Sequence, residues 1–192
     1  MTTDSSNTRN RLRIIGGEWR SRLINFADIP DIRPTPDRVR ETLFNWLQAP
    51  IIGARCLDLF AGSGVLSFEA ISRGASSVTA LELDPKAASA IRNNVQVLKA
   101  EKLQLLQKNT LDWLQTNSTN QQFDVVFVDP PYAAGFYESC CHLLQQNNWL
   151  APSALVYIEA DQPLDSLKLP QEWRLIRNKR ASTVHYGLCE TS

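Results

Sequence analysis

The sequence predicts an open, mostly parallel α/β sheet of seven strands, preceded by an N-terminal β-hairpin and helix. From Ile51 onward, short apolar runs typical of buried strands alternate with segments of helix length, and this spacing requires parallel crossovers. The segment 173–190 breaks the alternation and is typical of two strands joined by a polar turn, so the last strand should run antiparallel. Residues 11–26 carry the Gly16–Gly17 pair expected where a hairpin turns.

The N-terminal part is predicted to contain the hairpin and one amphipathic helix. The stretch "RPTPDRVRETLFNWL" begins a helix in which Thr35 is the expected N-cap and Pro36 the expected first helical residue. Apolar side chains then recur three and four residues apart, as in a helix that packs one face on a core. The polar start of the chain has the composition of a flexible tail. The predicted parts of the chain are a tail (1–10), an N-terminal extension (11–48) and an α/β domain (49–192).

Five parallel strands are predicted in the α/β domain from short runs rich in aliphatic and β-branched residues. In chain order they are "RCLDLF", "SVTALEL", "KLQLLQ", "FDVVFV" and "ALVYIE". Because the carboxyl ends of parallel strands meet at one edge of a sheet, residues that directly follow these runs should lie close together. Polar and glycine residues in those positions are therefore candidates for a binding site.

Composition limits the classes of function. The chain has 192 residues, 43% of them hydrophobic, and no net charge, which suits one globular domain. No apolar run approaches the roughly 20 residues of a membrane helix, and the N-terminus lacks a signal-peptide segment, so a cytoplasmic location without membrane contact is expected. The four cysteines lack metal-binding spacing, and we expect buried thiols and no metal. No apolar surface helix is left over, which favours a monomer.

Arginines are concentrated near both ends of the chain although the net charge is zero. The hairpin region holds most of the N-terminal ones, and a second group of cations lies between 174 and 180. The N-terminal arginines are Arg9, Arg11, Arg13, Arg20, Arg22, Arg33, Arg38 and Arg40. A local basic surface can bind phosphate even on a neutral protein, whereas a merely solvated face accounts equally well for the charges alone.

The first predicted strand is followed by a glycine turn, "DLFAGSG", that begins at Asp58. Small residues here allow a ligand to approach the backbone where the next helix begins, and the helix N-terminus favours an oxygen or carboxylate. Glu82 ends the second strand, where a carboxylate can accept both hydroxyls of a ribose. Asn109 and Thr110 follow the third strand and are placed to hydrogen-bond an adenine. The pattern favours a nucleoside-containing ligand, although a tight strand-to-helix turn accounts for the glycines alone.

The fourth strand ends in "DPPY", which we interpret as an amine-binding loop. The exocyclic amine of a nucleobase is a poor nucleophile because its lone pair is delocalised into the ring. Asp129 and the Pro130 carbonyl could accept its two N–H bonds and favour a pyramidal nitrogen, while Tyr132 stacks on the base. Proline adds rigidity and has no N–H to compete for the acceptors. The alternative is a strand stopped by two prolines beside a chance aspartate.

The motifs "DLFAGSG", "ELD" and "DPPY", in this order, resemble those of class I S-adenosylmethionine-dependent methyltransferases that act on amines. The flanking segments "RIIGGEWRSRLI", "RPTPDRVRETLFNWL" and "YIE" resemble the RsmD family of bacterial rRNA methyltransferases across nearly the whole chain. The resemblance implies a Rossmann-like fold and methylation of N2 of the guanine at position 966 of 16S rRNA. The expected partner is 16S rRNA in a small ribosomal subunit or its assembly intermediate, and the sequence leaves open whether free rRNA or the assembled particle is methylated.

The resemblance also implies roles for particular residues. Those implied to contact S-adenosylmethionine are Asp58, Ala61, Gly62, Gly64, Glu82, Leu83, Asn109, Thr110 and Asp129. Those implied to hold the guanine are Asp129, Pro130 and Tyr132. Those implied to grip RNA phosphates are Arg13, Arg20, Arg22, Arg33, Arg38 and Arg40. The sequence departs from many relatives after the third strand, where "KNTLDW" has no acidic residue ahead of Thr110.

Several other functions are compatible with parts of the sequence. A methyltransferase acting on N6 of adenine in DNA or RNA uses the same loop, and a non-catalytic ribosome-assembly factor could retain the fold. A C5-pyrimidine methyltransferase needs a cysteine nucleophile, and Tyr132 stands where it would be expected. A nicotinamide dehydrogenase has no use for "DPPY", and protein glutamine methyltransferases prefer Asn in place of Asp129.

Overall fold

The computed structural model contains a hairpin-and-helix extension packed on an α/β sheet. It describes residues 10–29, 34–116, 121–131 and 135–192. Two of the predicted site residues, Arg33 and Tyr132, lie outside these described ranges. No helix among the described residues is long and apolar enough to cross a membrane.

The elements follow the predicted order closely. The strands of the described residues are β1 (Arg11–Arg13), β2 (Leu23–Asn25), β3 (Arg55–Asp58), β4 (Ser77–Leu81), β5 (Leu103–Leu106), β6 (Phe123–Val128), β7 (Leu150–Ala160), β8 (Arg174–Ala181) and β9 (Val184–Glu190). The helices are α1 (Asp37–Trp46), α2 (Val65–Ser72), α3 (Pro85–Leu98), α4 (Thr110–Leu114) and α5 (Tyr137–Gln146), with a 3-10 turn at Leu164–Ser166.

The main sheet has seven strands in the order β5-β4-β3-β6-β7-β9-β8. Strands β3 to β7 are parallel to one another, whereas β9 runs antiparallel to both β7 and β8. The Rossmann-like class I fold and the antiparallel last strand are thus confirmed. That last strand is inserted between β7 and β8, so the edge strand is β8, which the sequence pattern alone does not reveal. The strand order reverses between β3 and β6, and ligands of open α/β sheets bind at such a point.

Two clusters of buried apolar side chains flank the sheet because successive residues of a strand point to opposite faces. Phe127 of β6 belongs to one cluster together with the hairpin and helices α1 to α3. Val126 and Val128 belong to the other cluster, which includes α4 and α5. Asp129 lies two residues after Phe127, so its side chain should point to the same face of the sheet, the face that carries α1.

The N-terminal extension is packed against the sheet domain rather than tethered to it. Strands β1 and β2 pair antiparallel, and Ile14 and Ile24 are fully buried in the cluster shared with α2. The Ser72 side chain donates to the Gly16 carbonyl at 2.6 Å and accepts from the Trp19 N–H at 2.8 Å. The hairpin turn therefore has a defined position relative to the helix that follows the glycine turn.

Helix α1 begins one residue later than predicted. Pro36, not Thr35, is the N-cap residue, and no side chain caps the helix. Thr35 is buried, and its hydroxyl instead donates to the Asp129 carboxylate at 3.4 Å. The Thr35 side chain, which the local sequence predicts to cap the helix, thus makes a tertiary contact instead.

Candidate active site

The glycine turn after β3 lies at the point where the strand order reverses. Gly62 and Gly64 have φ values of 53° and 77°, in the left-handed region that favours glycine. A Cβ at Gly64 would lie 2.9 Å from the Phe68 ring and 3.1 Å from Ile91 Cγ1. The packing of Phe68 of α2 and Ile91 of α3 on the turn therefore requires glycine at 64, and the backbone of the turn stays accessible along the partly exposed Gly62.

Glu82 is connected to the glycine turn as the sequence predicts. Its Oε2 accepts the Gly62 N–H at 2.7 Å, and its Oε1 accepts the Asp84 N–H at 2.7 Å. Burial raises the pKa of this carboxyl, and the two N–H donors act in the opposite direction. A carboxylate has about four lone-pair positions, so Glu82 retains acceptor capacity for a hydroxyl of a ligand.

Asp58 is almost fully buried beneath the turn. Its Oδ2 accepts the Ser67 hydroxyl at 2.6 Å, which ties the end of β3 to the first turn of α2. Burial raises the pKa of Asp58 to about 6, and the neighbouring Glu82 adds to the increase. Ser67 occupies the position where a dinucleotide fingerprint would have its third glycine. The structure explains that departure, because the serine supplies a hydrogen bond to Asp58.

The residues predicted to surround an adenine behave differently from one another. Leu83 has 62% of its surface exposed, which is unusual for leucine, and it directly follows Glu82. Asn109 is exposed and caps α4 by accepting the Asp112 N–H at 3.1 Å. Thr110 is buried, and its hydroxyl donates to the Leu59 carbonyl at 2.6 Å. The hydroxyl proton of Thr110 is therefore committed to holding α4 against the end of β3, and the hydrogen bond from Thr110 to an adenine stays a prediction.

Asp129 is half-buried at the end of β6, next to the buried Pro130. Loss of solvent raises the pKa of Asp129 well above its ordinary value, and the nearby carboxyls of Glu159 and Asp58 raise it further. The Thr35 hydroxyl opposes this increase by donating a hydrogen bond. The structure thus holds the predicted amine acceptor at the edge of the cleft, with a donor from the N-terminal extension beside it.

Glu159 is a buried acid beside Asp129 that the sequence reasoning did not assign to the site. Val128 pairs with Ile158, so Asp129 and Glu159 are the next residues along neighbouring parallel strands. The Tyr157 hydroxyl donates to Glu159 Oε2 at 2.8 Å. An acid at the end of an otherwise apolar buried strand is the signal that could have identified it.

Four carboxyl groups therefore converge on one edge of the sheet. They are Asp58, Glu82, Asp129 and Glu159. Glu82 raises the pKa of Asp58, and Asp58 and Glu159 raise the pKa of Asp129. Such a set favours a cationic ligand, because a positive charge relieves the repulsion among them. The described residues contain no group of three or more His, Cys, Asp or Glu side chains arranged to hold a metal ion.

The arginines predicted to contact RNA fall into two classes. Arg13, Arg20, Arg22 and Arg38 are exposed, and Arg22 also donates to the Val97 carbonyl at 3.1 Å. Arg40 is fully buried, so its assignment to RNA phosphates is wrong. Its guanidinium instead donates to the carbonyls of Thr35 and Arg13 at 3.2 and 3.0 Å.

Arg40 is buried together with Glu69, a residue of α2 that the sequence reasoning did not single out. Arg40 Nη1 and Glu69 Oε1 are 3.0 Å apart, and neither side chain is exposed. Glu69 also accepts the Ile15 N–H and pairs with Arg73 at 3.1 Å. The pair therefore joins the hairpin, α1 and α2 in one network. Since Thr35 is held by Arg40 and contacts Asp129, the network reaches the cleft.

Comparison with known proteins adds information that the geometry does not contain. The family model described as conserved hypothetical protein 95 matches residues 12–190. Ribosomal RNA small subunit methyltransferase D of Haemophilus influenzae is 44% identical to this chain over 186 residues, which is 95% of each protein. The protein of the same name from Escherichia coli K12 is 43% identical over 178 residues, covering 93% of this chain and 89% of that protein.

Solved structures agree with these sequence matches. The Escherichia coli protein yhhF superposes with a TM-score of 0.86 at 41% identity, covering 95% of this chain and 98% of that chain. A more distant protein, SMU.776, was solved in complex with SAH and superposes with a TM-score of 0.67 at 14% identity, covering 80% of this chain and 48% of that chain. The distant likeness concerns the fold alone.

Proposed function

The chain belongs to the family of conserved hypothetical protein 95, the RsmD family, and we propose from this premise that it methylates ribosomal RNA of the small subunit. The methyl donor is S-adenosylmethionine, and the acceptor is N2 of the guanine at position 966 of 16S rRNA. The observation that carries the proposal is the position of Asp129, at the edge of an acidic cleft and directly across a strand pair from the glycine turn.

The residues of the cleft fit S-adenosylmethionine. The glycine turn offers an accessible backbone, Glu82 retains acceptor capacity for ribose hydroxyls, and exposed Leu83 provides an apolar surface for the adenine. The carboxyl groups of Asp58 and Asp129 suit a ligand that carries positive charge. When bound, the cofactor would supply an electrophilic methyl group on a sulfonium.

Asp129 would act by orienting the amine of the guanine. Its carboxylate and the Pro130 carbonyl accept the two N–H bonds, so the nitrogen lone pair points away from them toward the methyl group. The bond between the methyl group and sulfur would break as the bond to nitrogen forms, which leaves a neutral thioether and needs no covalent enzyme intermediate. Asp129 need not remove a proton first, because the amine would become acidic only as the new bond forms, and its proton would then pass to Asp129 or to water. Positioning accounts for most of the acceleration. Tyr132, outside the described residues, is proposed to stack on the base.

The N-terminal extension (11–48) is proposed to bind RNA, and the remainder (49–192) to carry the methyltransferase site. Exposed Arg13, Arg20, Arg22 and Arg38 support this division, since cations on an accessible surface can replace the counterions of phosphates. The substrate would be RNA in a small subunit or its assembly intermediate. A monomeric state and a cytoplasmic location belong to the same proposal.

The replacement of Asp129 by asparagine tests the catalytic assignment. Asparagine keeps the size and one acceptor oxygen but loses the negative charge, so methyl transfer should fall at least about a hundredfold. Affinity for S-adenosylmethionine, measured by calorimetry, should decrease far less than the rate of methyl transfer, because the glycine turn and Glu82 are unchanged. Near-normal turnover in the variant would contradict the role of Asp129.

A labelled-methyl assay separates the proposal from its alternatives. Purified chain is incubated with labelled S-adenosylmethionine and either small subunits, naked 16S rRNA or DNA, and the modified nucleoside is identified by mass spectrometry. Labelled N2-methylguanosine at position 966 supports the proposal. N6-methyladenosine would favour the adenine methyltransferase, and RNA binding without label in any substrate would favour an assembly factor.

A further inference from the structure

The edge strand β8 carries cations that the site described above does not use. Its sequence, "RLIRNKRA", has four basic residues and no acid, and the strand is largely exposed. Arg174 is paired with Glu190 at the start of the strand. The hydrogen bond of Arg177 goes to the carbonyl of its neighbour Ile176, and the ammonium of Lys179 lies 5.8 Å from the centre of the Trp46 ring.

Strand pairing places Lys179 in line with Asp129. Lys179 pairs with Tyr186, Tyr186 pairs with Glu159, and Glu159 is beside Asp129 on the neighbouring strand. Three steps between strands separate the two residues, which corresponds to roughly 14 Å at the usual spacing. A few nucleotides of RNA can bridge that distance from a base held at Asp129.

Arg177 and Lys179 also lie on the same face of the sheet as the approach to Asp129. Their partners on β9, Leu188 and Tyr186, belong to the cluster that includes α1, and Tyr186 stacks on Trp46 of α1 at 5.7 Å. The segment before α1 contacts Asp129 through Thr35. Lys179 therefore lies at the C-terminal end of α1, whereas the segment before the N-terminal end of the helix reaches the cleft.

We propose that Arg177 and Lys179, the edge patch, form a second RNA-binding surface that contacts the phosphate backbone next to the target nucleotide. Charge complementarity identifies the partner as a polyanion, and the distance to Asp129 identifies it as the strand that carries the target base. The N-terminal arginines and the edge patch would then hold that strand on either side of α1. This inference rests on the proposed function, since it takes its ligand from there.

Edge strands also use charged side chains to prevent pairing with other chains, and this accounts for cations on β8 without any ligand. The two explanations differ in what removal of the charges does. Loss of a phosphate contact lowers affinity for RNA and the dependence of affinity on salt. Loss of edge protection leaves RNA binding unchanged and promotes self-association.

The test compares Arg177→Gln/Lys179→Gln with a control that loses the same charge elsewhere, Lys102→Gln/Lys168→Gln. Both control lysines are exposed, and Lys102 precedes β5 at the opposite side of the sheet. The probe is a fluorescent RNA fragment of the small-subunit rRNA that includes position 966 in its loop, titrated at several salt concentrations. Circular dichroism and size-exclusion chromatography verify folding and monomer content.

The edge-patch variant should bind about 25-fold more weakly at 0.1 M salt, from about fivefold for each single-strand phosphate contact, and its salt slope should decrease by about 1.4. The control should stay within about twofold of the unaltered chain. Equal affinity of the two variants, or self-association of the edge-patch variant with unchanged affinity of its monomer, would overturn the inference. If the unaltered chain binds this RNA but methylates no substrate, the proposed function fails and the binding comparison still stands.

Discussion

Replacement of Arg40 by alanine should lower the free energy of unfolding of the chain. It should not remove a direct contact to RNA. Arg40 and Glu69 form an ion pair with both side chains fully buried, and breaking such a pair by removal of one partner typically costs about 3–5 kcal/mol. The carbonyls of Thr35 and Arg13 lose a donor as well. Glu69 keeps its bonds from Arg73 and Ile15, which limits the penalty of its uncompensated charge. The exposed Asp37 partner contributes little.

The expected loss in free energy of unfolding is therefore about 3–5 kcal/mol, measured by urea denaturation at pH 7. For a chain of this size, each kcal/mol corresponds to roughly 2–4 °C, so the melting temperature should decrease by about 6–20 °C. The matched control is Arg38→Ala, two positions earlier on the exposed face of α1, which should stay within about 0.5 kcal/mol.

The order of the two variants should be reversed for RNA affinity, with the larger loss in the Arg38 variant. Arg38→Ala should weaken binding of the rRNA fragment and lower its salt dependence, whereas folded Arg40→Ala, assayed well below its melting temperature, should change affinity less. An Arg40→Ala variant with almost unchanged stability and a marked loss of RNA affinity would refute the reasoning, because it would show that the guanidinium is available to phosphates.

Three further predictions concern the cleft. Because burial raises the pKa of Asp58 to about 6, the folded chain holds that proton more tightly than the unfolded chain, and the free energy of unfolding should fall by about 3 kcal/mol in total as the pH rises, with about 2 kcal/mol of this between pH 4 and pH 6 and no further change above about pH 7. Asp58→Asn should abolish this component of the pH profile, and an identical profile would contradict it. Gly64→Ala should cost more than the roughly 1–2 kcal/mol of a left-handed alanine, because its Cβ meets Phe68 and Ile91, whereas Gly53→Ala, with a similar φ and open space, should cost only that amount in the same denaturation assay. Glu82→Ala should weaken S-adenosylmethionine at least about tenfold by calorimetry through loss of ribose acceptors, and unchanged affinity would remove Glu82 from the cofactor site.

The elements of the sheet and the glycine turn were predictable from local sequence. Strand β6 has the predicted bounds, because its apolar run and the prolines that follow it are local features. The contact between Glu82 and the turn was also predictable, since strand ends of a parallel sheet meet at one edge. The first residue of α1 was not predictable in this way. The Thr35 hydroxyl donates to Asp129, which is 94 residues away in the chain, instead of capping the helix.

What the sequence alone determined about this protein is the alternation of strands and helices, the position of the glycine turn and the carboxylate that follows β6. These follow from periodicity and from residue types next to strand ends, which act over a few residues. Only the tertiary structure decided which charged groups face solvent. Arg38 and Arg40 are the same residue type and lie two residues apart. Arg40 is buried in an ion pair with Glu69, whereas Arg38 is exposed. The position of the β8 cations was also decided by the tertiary structure, because the strand order places them in line with Asp129.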